Sequence, residues 1–244
     1  MSRPLVLLHG WGFTSRVWEP LTTRLDSTID VLPLDLPGHG SAPPAGDDPE
    51  RWIDALLGRL PTCCDLLGWS LGAQLALALA VRAPERVARL ILLGASPRFV
   101  CGEDWEAGLA PSILEEFQRG FAADPGTFQR RFVALQSLGD RRRKDITPLL
   151  NATLTPVDTV RHGPLSDGLG LLAQMDLRPL LPSVTQPVRL IQGRHDKLMP
   201  AAAAEWMAAH LPDARLSLFE DSGHAPFLSR PADCATLIES FLGE

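Results

Sequence analysis

The sequence predicts an α/β domain, built on a mostly parallel, doubly wound sheet, with an all-helical cap inserted into it. Three observations carry this. Short apolar runs closed by Gly or Pro alternate with helical segments over residues 1–98 and again over 177–244. Between 99 and 176 the alternation stops, and the pattern turns helical throughout. The 244 residues are 45% apolar, which is enough to bury one large core that carries an inserted subdomain. A disordered chain would be poorer in apolar side chains, and a collagen-like one would show a glycine period.

Leu5–Leu8 is an apolar run that ends at His9-Gly-Trp-Gly12, and Val31–Asp35 is a second that ends at Pro37-Gly-His-Gly40. Runs this short and this apolar fit strands covered on both faces, as parallel strands are. Asp65–Gly68, Leu90–Leu93 and Val188–Ile191 repeat the pattern, and Arg215–Phe219 adds a further strand. Helices are predicted between them at Val17–Leu25, Pro49–Leu60, Leu71–Arg82, Ala201–Leu211 and Ala232–Leu242. In the cap, Pro111, Pro125, Pro148, Pro156 and Pro164 punctuate the chain, and the helices fall at Ile113–Phe121, Gly126–Leu138 and Asp145–Leu154.

The longest apolar run, Leu75–Val81, is far short of the roughly 18 residues a membrane span needs. Met-Ser-Arg-Pro leads directly into Leu5–Leu8, with no secretory apolar segment, so a soluble cytoplasmic protein is expected. Four cysteines, two of them adjacent at Cys63 and Cys64, make neither a disulfide framework nor a metal-ligand spacing, and no metal or cofactor is expected. A net charge of −6 argues against a nucleic-acid partner, because phosphate binding needs a basic face. One stretch reverses that sign. Between Thr127 and Lys144, within the cap, lie Arg130, Arg131, Arg141, Arg142, Arg143 and Lys144, opposed in that span only by Asp140.

Gly68-Trp-Ser-Leu-Gly72 joins the strand at Asp65–Gly68 to the helix that starts near Leu71. A serine at the tip of so sharp a strand-to-helix turn needs glycine on both flanks, and the helix N-terminus behind it favours negative charge. Ser70 is therefore the candidate nucleophile. In folds of this kind the acid and the base follow the serine in that order along the chain. Asp196 follows the strand Val188–Ile191, and His224, in Asp221-Ser-Gly-His-Ala-Pro-Phe227, follows the last strand; both are at carboxyl ends, where open α/β sheets place their sites. Asp221 and Asp176 are competitors for the acid, but Asp221 is three residues from His224 and Asp176 follows no strand. The backbone N–H groups of Trp11 and Leu71 are the candidate oxyanion-hole donors.

Plainer readings apply elsewhere. His9 is expected to be structural, His195 to point away from its neighbour Asp196, and His39, His162 and His210 to lie on the surface or in loops. Phe128, Phe132 and Leu135 recur at helical spacing with Gln136 one turn beyond Phe132; this is an ordinary amphipathic face or, more sharply, the wall of an acyl pocket.

These residues resemble the α/β-hydrolase superfamily over essentially the whole chain. Val6-Leu-Leu-His-Gly-Trp-Gly12, Asp35-Leu-Pro-Gly38, Leu67–Gly72, Arg131-Phe-Val-Ala-Leu-Gln136 and His224-Ala-Pro-Phe227 resemble, within it, the esterases that cleave the methyl ester of pimeloyl-acyl-carrier protein in biotin synthesis. That resemblance implies substrate contacts from Trp11, Ser70, Leu71, Phe132, Val133, Ala134, Leu135, Gln136 and His224. It also implies cap arginines that receive the acidic carrier: Arg131 fits that pattern directly, with Arg141, Arg142, Arg143 and Lys144 as further candidates. The leading strand or hairpin usual in the superfamily has no counterpart in the pattern, and a monomer is expected. Three other readings share the fold: a broad short-chain carboxylesterase, a carbon–carbon hydrolase or lyase using the same triad, and a non-enzymatic receptor, which an intact triad and oxyanion loop disfavour.

Overall fold

The computed structural model describes residues 3–158 and 160–244. Its centre is a sheet of six strands: β1 (Leu5–Leu8), β2 (Val31–Leu34), β3 (Cys64–Trp69), β4 (Val87–Leu93), β5 (Val188–Gly193) and β6 (Ala214–Phe219). Their order is β2-β1-β3-β4-β5-β6, and every neighbouring pair is parallel. The central strands β1 and β3 are buried along their whole length, which is why they read as unbroken apolar runs. β2 is an edge strand and carries Pro33, a residue with no N–H to give to a ladder.

The helices on the sheet are α1 (Glu19–Thr22, entered from a 3-10 turn at Ser15–Trp18), α2 (Pro49–Leu57) and α3 (Leu71–Arg82). The single helix expected at Val17–Leu25 is thus a 3-10 turn followed by one α-helical turn, with Pro20 at the start of the latter. α3 is buried at every position from Leu71 to Ala80 and packs against β1, β3 and β4, so its apolar residues run all round it. α2 begins where the Asp48 side chain accepts from the Glu50 amide, with Pro49 in the first turn.

Between β4 and β5 the chain runs through α4 (Pro111–Ala123), α5 (Pro125–Gln136), α6 (Arg143–Ala152) and α7 (His162–Gln174). An antiparallel bridge between Arg98 and Asp176 brings the two ends of this stretch together. Arg178 reinforces it by pairing with Asp176 at 2.6 Å and with Asp104 at 2.8 Å. α7 lies outside the expected helices, because Gly163, Pro164, Gly168 and Gly170 are poor helix formers. Packing explains one of these glycines: a Cβ at Gly168 would come within 2.7 Å of the Trp11 ring. A 3-10 segment (Arg178–Ser183) leads back to β5, and α8 (Ala201–His210), α9 (Pro226–Ser229) and α10 (Pro231–Leu242) complete the chain.

The chain leaves β1 for β2 on one side and returns past β1 to β3 on the other. The carboxyl ends of β1 and β3 therefore form the point where strand order reverses, the crevice in which open α/β sheets hold ligands.

Candidate active site

Ser70 sits at the end of β3 with φ 57° and ψ −121°, the one non-glycine residue with positive φ among those described. Both flanking glycines are required by close approach. A Cβ at Gly68 would lie 2.3 Å from the Gly72 carbonyl oxygen, and one at Gly72 would lie 2.2 Å from the Leu8 carbonyl oxygen. The turn is thereby pressed between the start of α3 and the end of β1. The Leu71 N–H, in the first turn of α3, takes no acceptor among the described residues, and neither does the Trp11 N–H after β1. A developing oxyanion needs a pair of such unengaged donors.

His224 lies on the loop after β6, fully buried. Its Nδ1 donates to Asp196 Oδ2 at 2.6 Å, while its amide donates to the Gln136 carbonyl at 3.3 Å and its carbonyl accepts from Trp69 Nε1 at 2.9 Å. With Nδ1 carrying the proton, Nε2 presents a lone pair, and that atom is buried without a partner. A buried ring nitrogen left free is the feature expected of a base waiting for a hydroxyl proton. Asp196 Oδ1 accepts from the amides of Leu198 and Met199, both at 2.9 Å, and Oδ2 accepts from His224 and from Gln192 Nε2 at 2.8 Å. Neither competing aspartate reaches the imidazole: Asp221 pairs with Arg230, and Asp176 with Arg178 and Arg98.

The loop after β1 is held from below by two histidines. His9 Nε2 accepts from the Leu36 amide and His39 Nε2 from the Gly12 amide, both at 3.0 Å. His39 is in a loop, as expected, but it is fully buried. Desolvation by burial lowers both, His9 to about 4 and His39 to about 3. From above, the Trp11 indole donates to the Leu165 carbonyl at 2.7 Å and lies edge-on to the rings of Phe121, Phe128 and Phe132, with centroids 5.0–5.9 Å away.

In α5, Phe132, Val133 and Gln136 are buried, and Ala134 and Leu135 are half-buried. Gln136 Oε1 has no partner among the described residues. A cavity of about 400 Å³ is lined by Phe117, Phe128, Phe132, Ala134 and Leu135, with Arg131 and Arg143 also on its wall. None of Ser70, Asp196 and His224 lines it. The basic run is exposed from Arg141 to Lys144, as is Arg131. Arg142 is committed to structure, pairing with Asp145 at 3.1 Å and donating to the Ser229 carbonyl at 3.0 Å; the other four make no ion pair among the described residues. Asp140, just before that run, is buried and accepts from the Gly223 amide at 2.9 Å. Sequence reasoning assigned no role to Asp140 or Gln192, and no motif marks either one.

No helix among the described residues is long and apolar enough to cross a membrane. Residues 5–237 match the model of the alpha/beta hydrolase family. A pimeloyl-[acyl-carrier protein] methyl ester esterase from Aromatoleum aromaticum is 52% identical, with 98% of each chain covered. One from Nitrosomonas europaea is 40% identical over 93% of this chain and 90% of its own. Among solved structures, an esterase from Exiguobacterium antarcticum superposes with a TM-score of 0.86 at 24% identity, over 100% of this chain and 92% of that one, a likeness of fold. The chain therefore belongs to the alpha/beta hydrolase family, in the company of the pimeloyl-[acyl-carrier protein] methyl ester esterases.

Proposed function

We propose that this chain is a serine esterase of biotin synthesis that hydrolyses the methyl ester of pimeloyl-acyl-carrier protein to pimeloyl-acyl-carrier protein and methanol. The observation that carries this is the 52% identity, over 98% of both chains, to an esterase of that name. In this reading the core comprises 1–98 and 177–244, the cap comprises 99–176, and the enzyme acts as a cytoplasmic monomer.

His224 Nε2 takes the Ser70 hydroxyl proton as Oγ attacks the ester carbonyl, and the Trp11 and Leu71 amides bind the oxyanion of the tetrahedral intermediate. Collapse expels methoxide, which leaves as methanol with the proton from His224. Water, deprotonated by the same nitrogen, then attacks the acyl-enzyme; the free carboxylate leaves and Ser70 recovers its proton. Asp196 keeps Nδ1 protonated and stabilises the imidazolium. Trp11, Ser70, Leu71, Phe132–Gln136 and His224 contact the substrate. Arg131, Arg141, Arg143 and Lys144 receive the acidic carrier; Arg142, engaged by Asp145 and Ser229, serves the cap's attachment first.

Ser70→Ala is expected to lower kcat on a short p-nitrophenyl ester by roughly a millionfold, as loss of a triad nucleophile does. Charge reversal at Arg131, Arg143 and Lys144 raises KM for the carrier-linked ester and spares the small one, and it flattens the salt dependence of the former. A good small esterase that fails to rescue a biotin-requiring strain lacking this activity would instead be a broad carboxylesterase.

A further inference from the structure

We propose that Gln192 is a positioning residue of the reaction, acting through Asp196; this rests on the triad assignment above. Gln192 lies on β5 four residues before the aspartate and is 1% exposed. Its carboxamide has three partners. Nε2 donates to Asp196 Oδ2 at 2.8 Å and to the Met199 carbonyl at 2.7 Å, and Oε1 accepts from the Ala95 amide at 3.1 Å. The opposite amide orientation would set oxygen against oxygen twice and nitrogen against an N–H once, so these three partners fix it.

The consequence falls on Oδ2, the oxygen that also receives His224 Nδ1 at 2.6 Å. Together with the Leu198 and Met199 amides on Oδ1, four donors converge on one carboxylate, and none of them is an acceptor to which a proton on Asp196 could be given. The four donors fix the rotation of the carboxylate. Of the four donors, only Gln192 belongs to a strand and is tied to the next one: Ala95 follows β4, so the amide links the ends of two central strands to the acid. Without it, Oδ2 keeps the imidazole as its sole partner, and the carboxylate is held by three donors instead of four. Gln192 touches no candidate substrate residue, so its effect belongs in kcat.

The test is a double-mutant cycle on a small chromogenic ester, with Gln192→Met, Asp196→Asn and both together. Gln192→Met alone is expected to lower kcat about 10- to 100-fold, the worth of a hydrogen bond to a charged group, with KM within about twofold. Asp196→Asn is expected to lower kcat by about 10⁴-fold. The double variant should match Asp196→Asn alone, because the second change then removes nothing the first has left. Full activity in Gln192→Met, or losses that multiply in the double variant, overturns the proposal while the triad stands. Full activity in Asp196→Asn overturns the triad itself. If Gln192→Met does not fold, the wild-type protein decides. Phosphonylating Ser70 with a fluorophosphonate alters the surroundings of the imidazole that shares Asp196 Oδ2 with Gln192, and the Gln192 side-chain amide resonances should shift; unmoved resonances overturn the proposal.

Discussion

Ser70 holds a backbone conformation, φ 57° and ψ −121°, that a residue with a Cβ adopts only when its surroundings force it. Here the force comes from the packed neighbours: α3 on one side, the end of β1 on the other, and the Ser70 amide tied to the Leu93 carbonyl at 3.1 Å. Strain of this kind costs about 1–3 kcal/mol, whereas glycine's extra freedom in the unfolded chain costs roughly 0.5–1 kcal/mol. The first exceeds the second, so Ser70→Gly should be more stable than Ser70→Ala by about 1 kcal/mol, although both are inactive. Urea unfolding of the two variants measures the difference; equal midpoints would mean that the turn carries no strain at the serine. The sequence exposes this residue because the turn needs glycine on both sides, which leaves a pattern in the letters. Gln192 and Asp140 leave none. Their roles depend on which amides the folded chain brings to them, Ala95 and Gly223, and those are 97 and 83 positions away.

At the scale of elements, the strands and α3 are legible for a simple reason: buried parallel strands and a helix buried all round are written as apolar runs. α7 is not, because its glycine at 168 answers to the Trp11 ring rather than to helix propensity. Also illegible is the way the turn between α5 and α6 holds His224. Beyond the end of α5, Gly223 and His224 give their consecutive amides to Asp140 Oδ2 and the Gln136 carbonyl, Arg141 gives its amide to the Asp221 carbonyl, and Arg142 reaches Ser229. The turn between α5 and α6 is thus fastened to the histidine loop, next to the exposed arginines. Asp140→Ala strands the buried Gly223 N–H and also removes the bond from the Arg142 amide at 2.7 Å, so it should cost about 2 kcal/mol of stability. It should also lower kcat on a small ester with little change in KM, since the His224 imidazole loses a tether while the residues lining the cavity at α5 do not. Asp140→Asn has one acceptor oxygen for these two amides, so it should recover only the share that belongs to the amide its oxygen faces. Thermal melts and steady-state kinetics on the pair test this, and a KM effect larger than the kcat effect would place Asp140 in substrate binding instead.

Across the whole molecule, the oxyanion loop rests on two buried neutral imidazoles, and this gives stability a pH dependence with a defined sign. Each ring donates from Nδ1, His9 to the Gly10 carbonyl at 2.8 Å and His39 to the Pro37 carbonyl at 2.9 Å, and each accepts an amide proton at Nε2. A proton at Nε2 must break that last bond and place a charge beside the other ring, 5.3 Å away. Folded His9 therefore resists protonation down to about 4, and His39 to about 3, whereas unfolded histidine takes up its proton near 6.5. Below that value the unfolded chain binds protons that the folded one refuses, so stability is full above pH 6.5 and falls as the pH drops toward 4 and 3. The slope is about 1.4 kcal/mol per pH unit for each histidine, or roughly 2 kcal/mol each between pH 6.5 and 5. Other groups act elsewhere or oppose it. On Asp35 burial pushes upward, but hydrogen bonds from Ser15 and Ser41 outweigh it and leave the carboxyl lowered; its contribution is lost only below about pH 4. Asp65 is raised by burial and gains stability as the pH falls. Urea unfolding at pH 7 and pH 5 should therefore show a large loss in the wild type. His39→Gln offers the Gly12 amide an oxygen that does not titrate there, and it should remove about half of that loss. A variant that loses as much stability as the wild type over this range would assign the acid sensitivity to groups other than the pair beneath the oxyanion loop.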